Sequence, residues 1–378
     1  MTENLNRITL QNILLNPVSG TSEGLYFTGS GHSLNSEGMK IVNGGFLDFY
    51  SYFNLISWKK WSDYTGVDSL SLRLELQGKC EIVISSRQIT GEQKDPFSTF
   101  VEGDGITIIN IPSHLLYGQL SFKIIPAVDA LLISGDWIST DMPYTQNVNV
   151  AAVICTYKQN DSLFRNLELI KNNLPSDFEI IVIDNASLLG TDSIKAYGPE
   201  FHLYHNQNTG VSGGFTRGIM KAFSSHSRVS HVLFIGNDIQ LEPDTIRRSI
   251  SLLRHLKPEY RGHFVSGAML LLDEPHKIFE STAGWNGFRA KSYKRGLDLI
   301  GPTGLGQLDK EESHRNQYAA WWYCAFPLSS DIRENLPFPF FLYGDDIDYS
   351  FRHAKGFLTL NGIGVWHESF YKKFNPYF

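Results

Sequence analysis

The sequence predicts an α/β domain with a mainly parallel sheet over residues 146–378, preceded by an all-β sandwich over residues 1–145. Three observations predict it. At 378 residues the chain is long for a single hydrophobic core. Before residue 145, short runs alternate apolar and polar residues between turn signals, and after it strand-like apolar runs alternate with helical ones.

The first half holds the segments SLSLRLELQG, CEIVISSRQ, GITIINIP and GQLSFKIIPA. In the first, Leu70, Leu72, Leu74 and Leu76 fall on one face, and Ser71, Arg73, Glu75 and Gln77 on the other. That is a strand with one buried side, and several in a row suggest an antiparallel sandwich. FNLISWKKWSDYTG adds Trp58, Trp61 and Tyr64, suited either to core packing or to a sugar-facing platform. TDMPYTQN, 140–147, is a polar, proline-containing linker.

VNVAAVICTY then reads as a parallel strand covered on both faces. DSLFRNLELIKNNL follows as a helix with Leu163, Leu167 and Ile170 on one stripe. FEIIVIDNAS, FHLYHNQ and HVLFIGNDI read as further strands, with TDSIKAYG and SGGFTRGIMKAF as the helices between them. PDTIRRSISLLRHL is a helix opened by Pro243. Ligands of such sheets sit at the carboxyl ends of the strands.

Composition narrows the classes. The chain is 42% hydrophobic and 13% aromatic, with a net charge of −6, which argues against a nucleic-acid partner. Cys80, Cys155 and Cys324 stand in scattered contexts and read as reduced core residues, not as a zinc site or disulfide framework. MTENLNRITLQN has no apolar signal region, and no stretch approaches the roughly 20 apolar residues of a membrane span. A cytoplasmic protein is expected, with peripheral contact at the inner membrane face left open by Lys372 and Lys373 among Phe370, Tyr371, Phe374, Tyr377 and Phe378.

Four strand-end segments could carry chemistry: CTYKQND; IDNAS with Asp184; the glycine-rich NQNTGVSGGFTRG; and FIGNDIQLEPD. The glycine turn permits close backbone approach and offers free N–H groups to a diphosphate. It lacks the GKS/T of a phosphate loop and the early position of a dinucleotide fingerprint, so neither ATPase nor dehydrogenase fits. Downstream, FLYGDDIDYSFRH places Asp345 and Asp346 at the mouth of a predicted helix, where ionised carboxylates are favoured. They could cap that helix, or serve as a general base and a hydroxyl-binding group.

In this order the segments resemble family 2 glycosyltransferases, whose catalytic domain is a GT-A fold, over roughly residues 148–370. AAWWYCAFP, FFLYGDDIDYSFRH and GVWHESF look more narrowly like the galactofuranosyltransferase branch, which carries a β-sandwich ahead of its GT-A domain. The resemblance implies a UDP-sugar donor, UDP-galactofuranose above all, and a glycan or polyprenyl-diphosphate-linked oligosaccharide acceptor in galactan or O-antigen assembly. It makes Asp346 the base and Asp345 an acceptor contact, with Trp321 and Trp322 lining the acceptor site. Thr156, Asp184, Asn208, Gly213, Gly214, Arg217 and Asn237 fall on the donor side. Asp238 and His367 would hold Mn²⁺ or Mg²⁺.

The chain departs from the family's acidic metal motif. Gly236, Asn237 and Asp238 occupy it, so the first carboxylate is missing and a weakened site is expected. The chain ends soon after the Trp-His pair, which favours adding one or a few residues over processive polymerisation. A rhamnosyl- or other hexosyltransferase of the same fold, or a degenerate carbohydrate-binding protein, are the alternatives. A homo-oligomer is left open.

Overall fold

The computed structural model describes residues 7–173, 175, 178–225, 229–311 and 316–370. The basic aromatic tail beyond Phe370 lies outside them. Among the described residues no helix is long and apolar enough to cross a membrane.

The N-terminal half is built on the long strand Ser71–Arg87. One edge pairs antiparallel with Phe97–Asn110 over almost its full length. The other pairs first with Ala130–Ser139 and then with Gln119–Pro126. Met39–Asp48 bonds to both of those strands. The β domain is therefore one hydrogen-bonded sheet folded over on itself. SLSLRLELQG and CEIVISSRQ, read as two runs, are a single strand. The bend falls at Gly78, where φ is +102° and a Cβ would stand 2.9 Å from the Asp129 carbonyl. Leu72, Leu74 and Leu76 point inward, as their alternation requires. Trp58, Trp61 and Tyr64 lie on the helix Trp58–Thr65 and are 4%, 0% and 6% exposed, so they pack the core and form no sugar platform.

After the linker a seven-stranded sheet runs in the order Phe201–His205, Phe178–Asp184, Val150–Thr156, His231–Ile235, Tyr323–Pro327, Phe264–Ser266, Phe357–Leu358. The first four strands are parallel and Tyr323–Pro327 runs against them. A four-stranded sheet carries Gly364–His367 between Gln240–Leu241 and Ala268–Leu271.

The two halves share one hydrophobic cluster that runs from Leu10 to Trp366. At its centre is a buried charge. Arg248, on helix Asp244–His255, is 1% exposed and donates to the carbonyls of Asn361 and Phe53 (2.9 Å each) and to Asp244 (3.2 Å). Asn12 of the first strand donates to the same carboxylate. Nearby, the Tyr26 hydroxyl donates to Glu242 at 2.7 Å. Burial first, then the Asp244 charge, pushes the Glu242 carboxyl up to about 7.

Two stability effects follow. Arg248→Ala leaves Asp244 buried without its cation and should cost about 3–5 kcal/mol in urea denaturation. Glu242 holds its proton more tightly folded than unfolded, so its contribution is complete below pH 4.5 and lost as pH rises through about 7. Denaturation at pH 5 and pH 8 should therefore differ, and Glu242→Gln should remove on the order of 2 kcal/mol of that difference.

Candidate active site

Asp345 is the first residue of helix Asp345–His353, and Gly344 supplies the left-handed turn into it at φ +93°. Asp345 is 6% exposed, and its Oδ2 has no hydrogen-bond partner among the described residues. Burial pushes its carboxyl up to about 6. Asp346 is half-buried and accepts the Ile347 N–H at 2.8 Å. Burial, the neighbouring Asp345 charge and the Glu280 charge together push it up to about 7. Two acids at a helix mouth would ordinarily be stabilised as carboxylates. Here desolvation and mutual repulsion win.

Glu280, which the sequence reading missed, completes this cluster. It ends the strand Ile278–Glu280 and is 3% exposed. It accepts from Ser292, while its Oε1 has no partner among the described residues. Burial pushes its carboxyl up to about 7, against the nearby Arg295. Tyr318 lies within the field of both Glu280 and Asp346; burial first, then these charges, push its phenol up. A glutamate inside the apolar run KIFESTAGW was the available signal, but only the fold shows what it faces.

Across the site, His367 Nε2 stands 3.3 Å from Asp238 Oδ2. Its Nδ1 lies 2.6 Å from the Glu368 carbonyl, which can only accept, so Nδ1 carries the proton of that hydrogen bond. A ring nitrogen and a carboxylate oxygen so placed are a donor set suited to a divalent cation. Their separation matches two neighbouring ligands each about 2.1 Å from one ion. Among the described residues no group of three or more metal-binding side chains exists. A Cβ on Gly236 would stand 3.1 Å from Ile239 and 3.4 Å from Trp322 Cα, a tight position for any side chain. His367 stacks on Phe370 (5.0 Å), Phe370 meets Phe279 (5.4 Å), and Phe279 meets Trp322 (6.5 Å). Phe279 and Glu280 are successive residues of the strand Ile278–Glu280, so the aromatic chain and the acid cluster draw on opposite faces of one strand.

Several residues expected there do other work. Trp321 is 6% exposed, wedged among Phe215, Phe234 and Tyr349, and is a core residue. Of the pair only Trp322 keeps exposed surface, its indole N–H donating to the Gly267 carbonyl. Asp184 is 1% exposed, and its oxygens accept the N–H groups of Ala186, Leu188 and Leu189, so it anchors the turn after its strand and has no free face for a nucleoside. The glycines are packing devices. Cβ atoms on Gly214 and Gly218 would stand 2.1 and 2.2 Å from Cys155 and Val153, because helix Gly210–Ser225 lies directly on strand Val150–Thr156. Gly213 is shut in by Thr209. Asn208 is exposed and accepts the Gly210 N–H at the start of that helix. Asn237 donates to the Gln159 carbonyl at 3.0 Å and joins two strand-end loops. Thr156 Oγ1 and Arg217 Nε are buried without partners among the described residues.

Comparison with known proteins now has a geometry to meet. The sequence signature of glycosyl transferase family 2 matches residues 151–296. Over those residues the chain is similar to family 2 glycosyl transferases. It is 24% identical over 365 residues to the galactofuranosyltransferase GlfT2 of Mycolicibacterium smegmatis, covering 89% of this chain and 56% of that protein. It is 25% identical over 369 residues to GlfT2 of Mycobacterium tuberculosis, with the same coverage. The chain thus spans little more than half the length of these curated relatives. Solved structures showing similarity include a mannosyltransferase from Pyrobaculum calidifontis in complex with GDP-Man and Mn²⁺ (13% identity, TM-score 0.38, 59% of this chain and 57% of that one). Another is S. aureus TarS 1–349 with UDP (13%, TM-score 0.39, 60% and 63%).

If Glu280 helps raise Asp346, Glu280→Gln should lower the Asp346 titration midpoint from about 7. Carboxyl-carbon NMR of the two proteins checks this; an unchanged midpoint would remove Glu280 from the cluster.

Proposed function

We propose that this chain is an inverting glycosyltransferase that moves galactofuranose from UDP-galactofuranose to a hydroxyl of a lipid-linked glycan during surface polysaccharide assembly. What supports the reading is the Asp346 carboxyl, which burial and the Asp345 and Glu280 charges push up to about 7, together with the Asp238–His367 pair 3.3 Å apart. The similarity to two galactofuranosyltransferases over most of the chain supports the donor.

An acceptor hydroxyl is a weak nucleophile until a base takes its proton during attack, and a base with a pKa near the working pH is efficient. Asp346 takes that role. Asp345 and Glu280, each with an oxygen lacking a protein donor, receive other acceptor hydroxyls. Trp322 offers an apolar face to a sugar ring. Attack opposite the departing UDP inverts the anomeric centre. Asp238 and His367 would hold Mn²⁺ or Mg²⁺, which when bound offsets charge on the leaving diphosphate. The donor itself meets the strand ends around Thr156, Asn208, Arg217 and Asn237. Phe338, Phe341, Leu342 and Tyr343, 51%, 53%, 56% and 86% exposed just before the acids, suit a lipid-linked acceptor at a membrane surface.

Asp346→Asn should lower transfer by at least about 10²-fold while UDP affinity, read by calorimetry, stays within error; retained turnover would overturn the assignment. In the native enzyme kcat/KM should rise as pH passes through about 7, since the base must be ionised, and Asp345→Asn should move that rise to lower pH by removing a neighbouring charge. With Gly236 in place of a carboxylate beside Asp238, Mn²⁺ should bind weakly without nucleotide and more tightly with UDP. Tight binding to the free chain would defeat this view of the site. Products from a donor panel, with linkages read by NMR, separate galactofuranosyl from rhamnosyl or other hexosyl transfer.

A further inference from the structure

The strands Ala283–Trp285 and Ala290–Ser292 pair antiparallel, Trp285 against Ala290, and leave Asn286, Gly287, Phe288 and Arg289 as the turn between them. The turn is tightly built. Asn286 Oδ1 accepts the N–H groups of Phe288 (3.0 Å) and Arg289 (2.9 Å). The Asn286 N–H donates to the Arg289 carbonyl at 3.3 Å, and Gly287 takes a left-handed φ of +92°. Phe288 is thereby held at the tip, 92% exposed, more than any other large apolar residue among the described ones.

One exposed phenylalanine alone would mean little. This one stands among cations. Residues 285–296 carry Arg289, Lys291, Lys294 and Arg295 and no acid, in a chain whose net charge is −6. Two of the four are turned to the protein: Lys294 donates to the Leu308 carbonyl, and Arg295 lies over the Phe279 ring at 4.5 Å. Arg289 and Lys291 are exposed and flank the tip. A soluble polyanion would pair with these cations and leave the ring in water. An anionic phospholipid surface takes both, with its phosphates meeting the cations and its acyl boundary, just beneath, receiving the ring.

We infer that the hairpin Ala283–Ser292 is a membrane-docking element, which inserts Phe288 between anionic phospholipids and sets Arg289 and Lys291 on their phosphates. Its base is tied to the acid cluster. Ala283 and Gly284 pair with Tyr318 and Gln317, Gln317 donates to Thr282 at 2.8 Å, and Ser292 donates to Glu280. Only about 10 Å of strand separates Ser292 from Arg289. Docking would therefore hold the acids close to the surface from which a lipid-linked acceptor is presented. Lipid binding does not depend on the glycosyltransferase reading; this benefit to transfer does.

The full chain is sedimented with vesicles of phosphatidylcholine, and with vesicles in which about a third of the lipid is phosphatidylglycerol. Binding to the anionic vesicles is expected, weaker on neutral ones and weaker when salt rises from about 0.1 M to about 0.5 M. Each cation near the surface contributes about fivefold, so the double variant Arg289→Ser, Lys291→Ser should weaken partition about 25-fold. Phe288→Ser should weaken it about tenfold. All three positions are exposed, so urea midpoints and transfer to a soluble acceptor should stay at native values. No binding, equal binding to neutral vesicles, or binding indifferent to these variants would overturn the inference. Loss with the charge variant alone, Phe288→Ser behaving as native, would make the tip a plain polyanion site and overturn it as well. Anionic-vesicle binding by a chain that transfers no sugar would leave the hairpin standing and sink the proposed function instead.

Discussion

The structure depends on satisfying one buried cation. Arg248 is wholly inside the protein, and a guanidinium there is tolerable only when paired and hydrogen-bonded. Its partners come from three places: Asp244 on its own helix, the Phe53 carbonyl of the β domain and the Asn361 carbonyl of the C-terminal segment. Gly362 makes room for it. A Cβ there would fall 1.7 Å from Nη1, and its φ of +68° suits glycine besides. The β domain must therefore dock against the α/β domain for the charge to be satisfied.

That docking reaches the site. Asn361 donates to the carbonyls of Tyr52 and Leu55, and Lys60 donates to Thr359. Thr245 donates to the carbonyls of Gly362 and Gly364, 3.2 Å each, and Trp366 packs on Phe53 at 5.6 Å. The next residue is His367. The β domain thus clamps the strand that carries the histidine, and a rigid element places a ligand better than a loop does.

Electrostatics divides the site in two. On one side Asp345, Asp346 and Glu280 crowd three acids into partly dry surroundings, which holds protons near neutral pH. On the other, Asp238 remains about one-third exposed, 3.3 Å from the His367 ring. The first arrangement suits taking a proton, and the second suits holding a cation.

Much of this was legible in the chain. Period-two leucines at 70–76 and the apolar runs from Val150 onward determine strands by themselves, because burial of one face or both is written in residue order. The Asp345–Asp346 helix mouth was equally readable, since local turn chemistry places it, whereas Asp238 and His367 were singled out by the family resemblance. What only the tertiary structure decided is which polar groups remain without partners. Asp184 and the Gly213–Gly214 turn read as ligand-facing, yet one is consumed by three backbone N–H groups and the others by helix-on-strand packing. Glu280 carried no motif, and it gains meaning because residues distant in sequence bury it with an oxygen unmet among the described residues. Periodicity is local and survives in the sequence. Desolvation and hydrogen-bond satisfaction depend on neighbours that only the folded chain supplies.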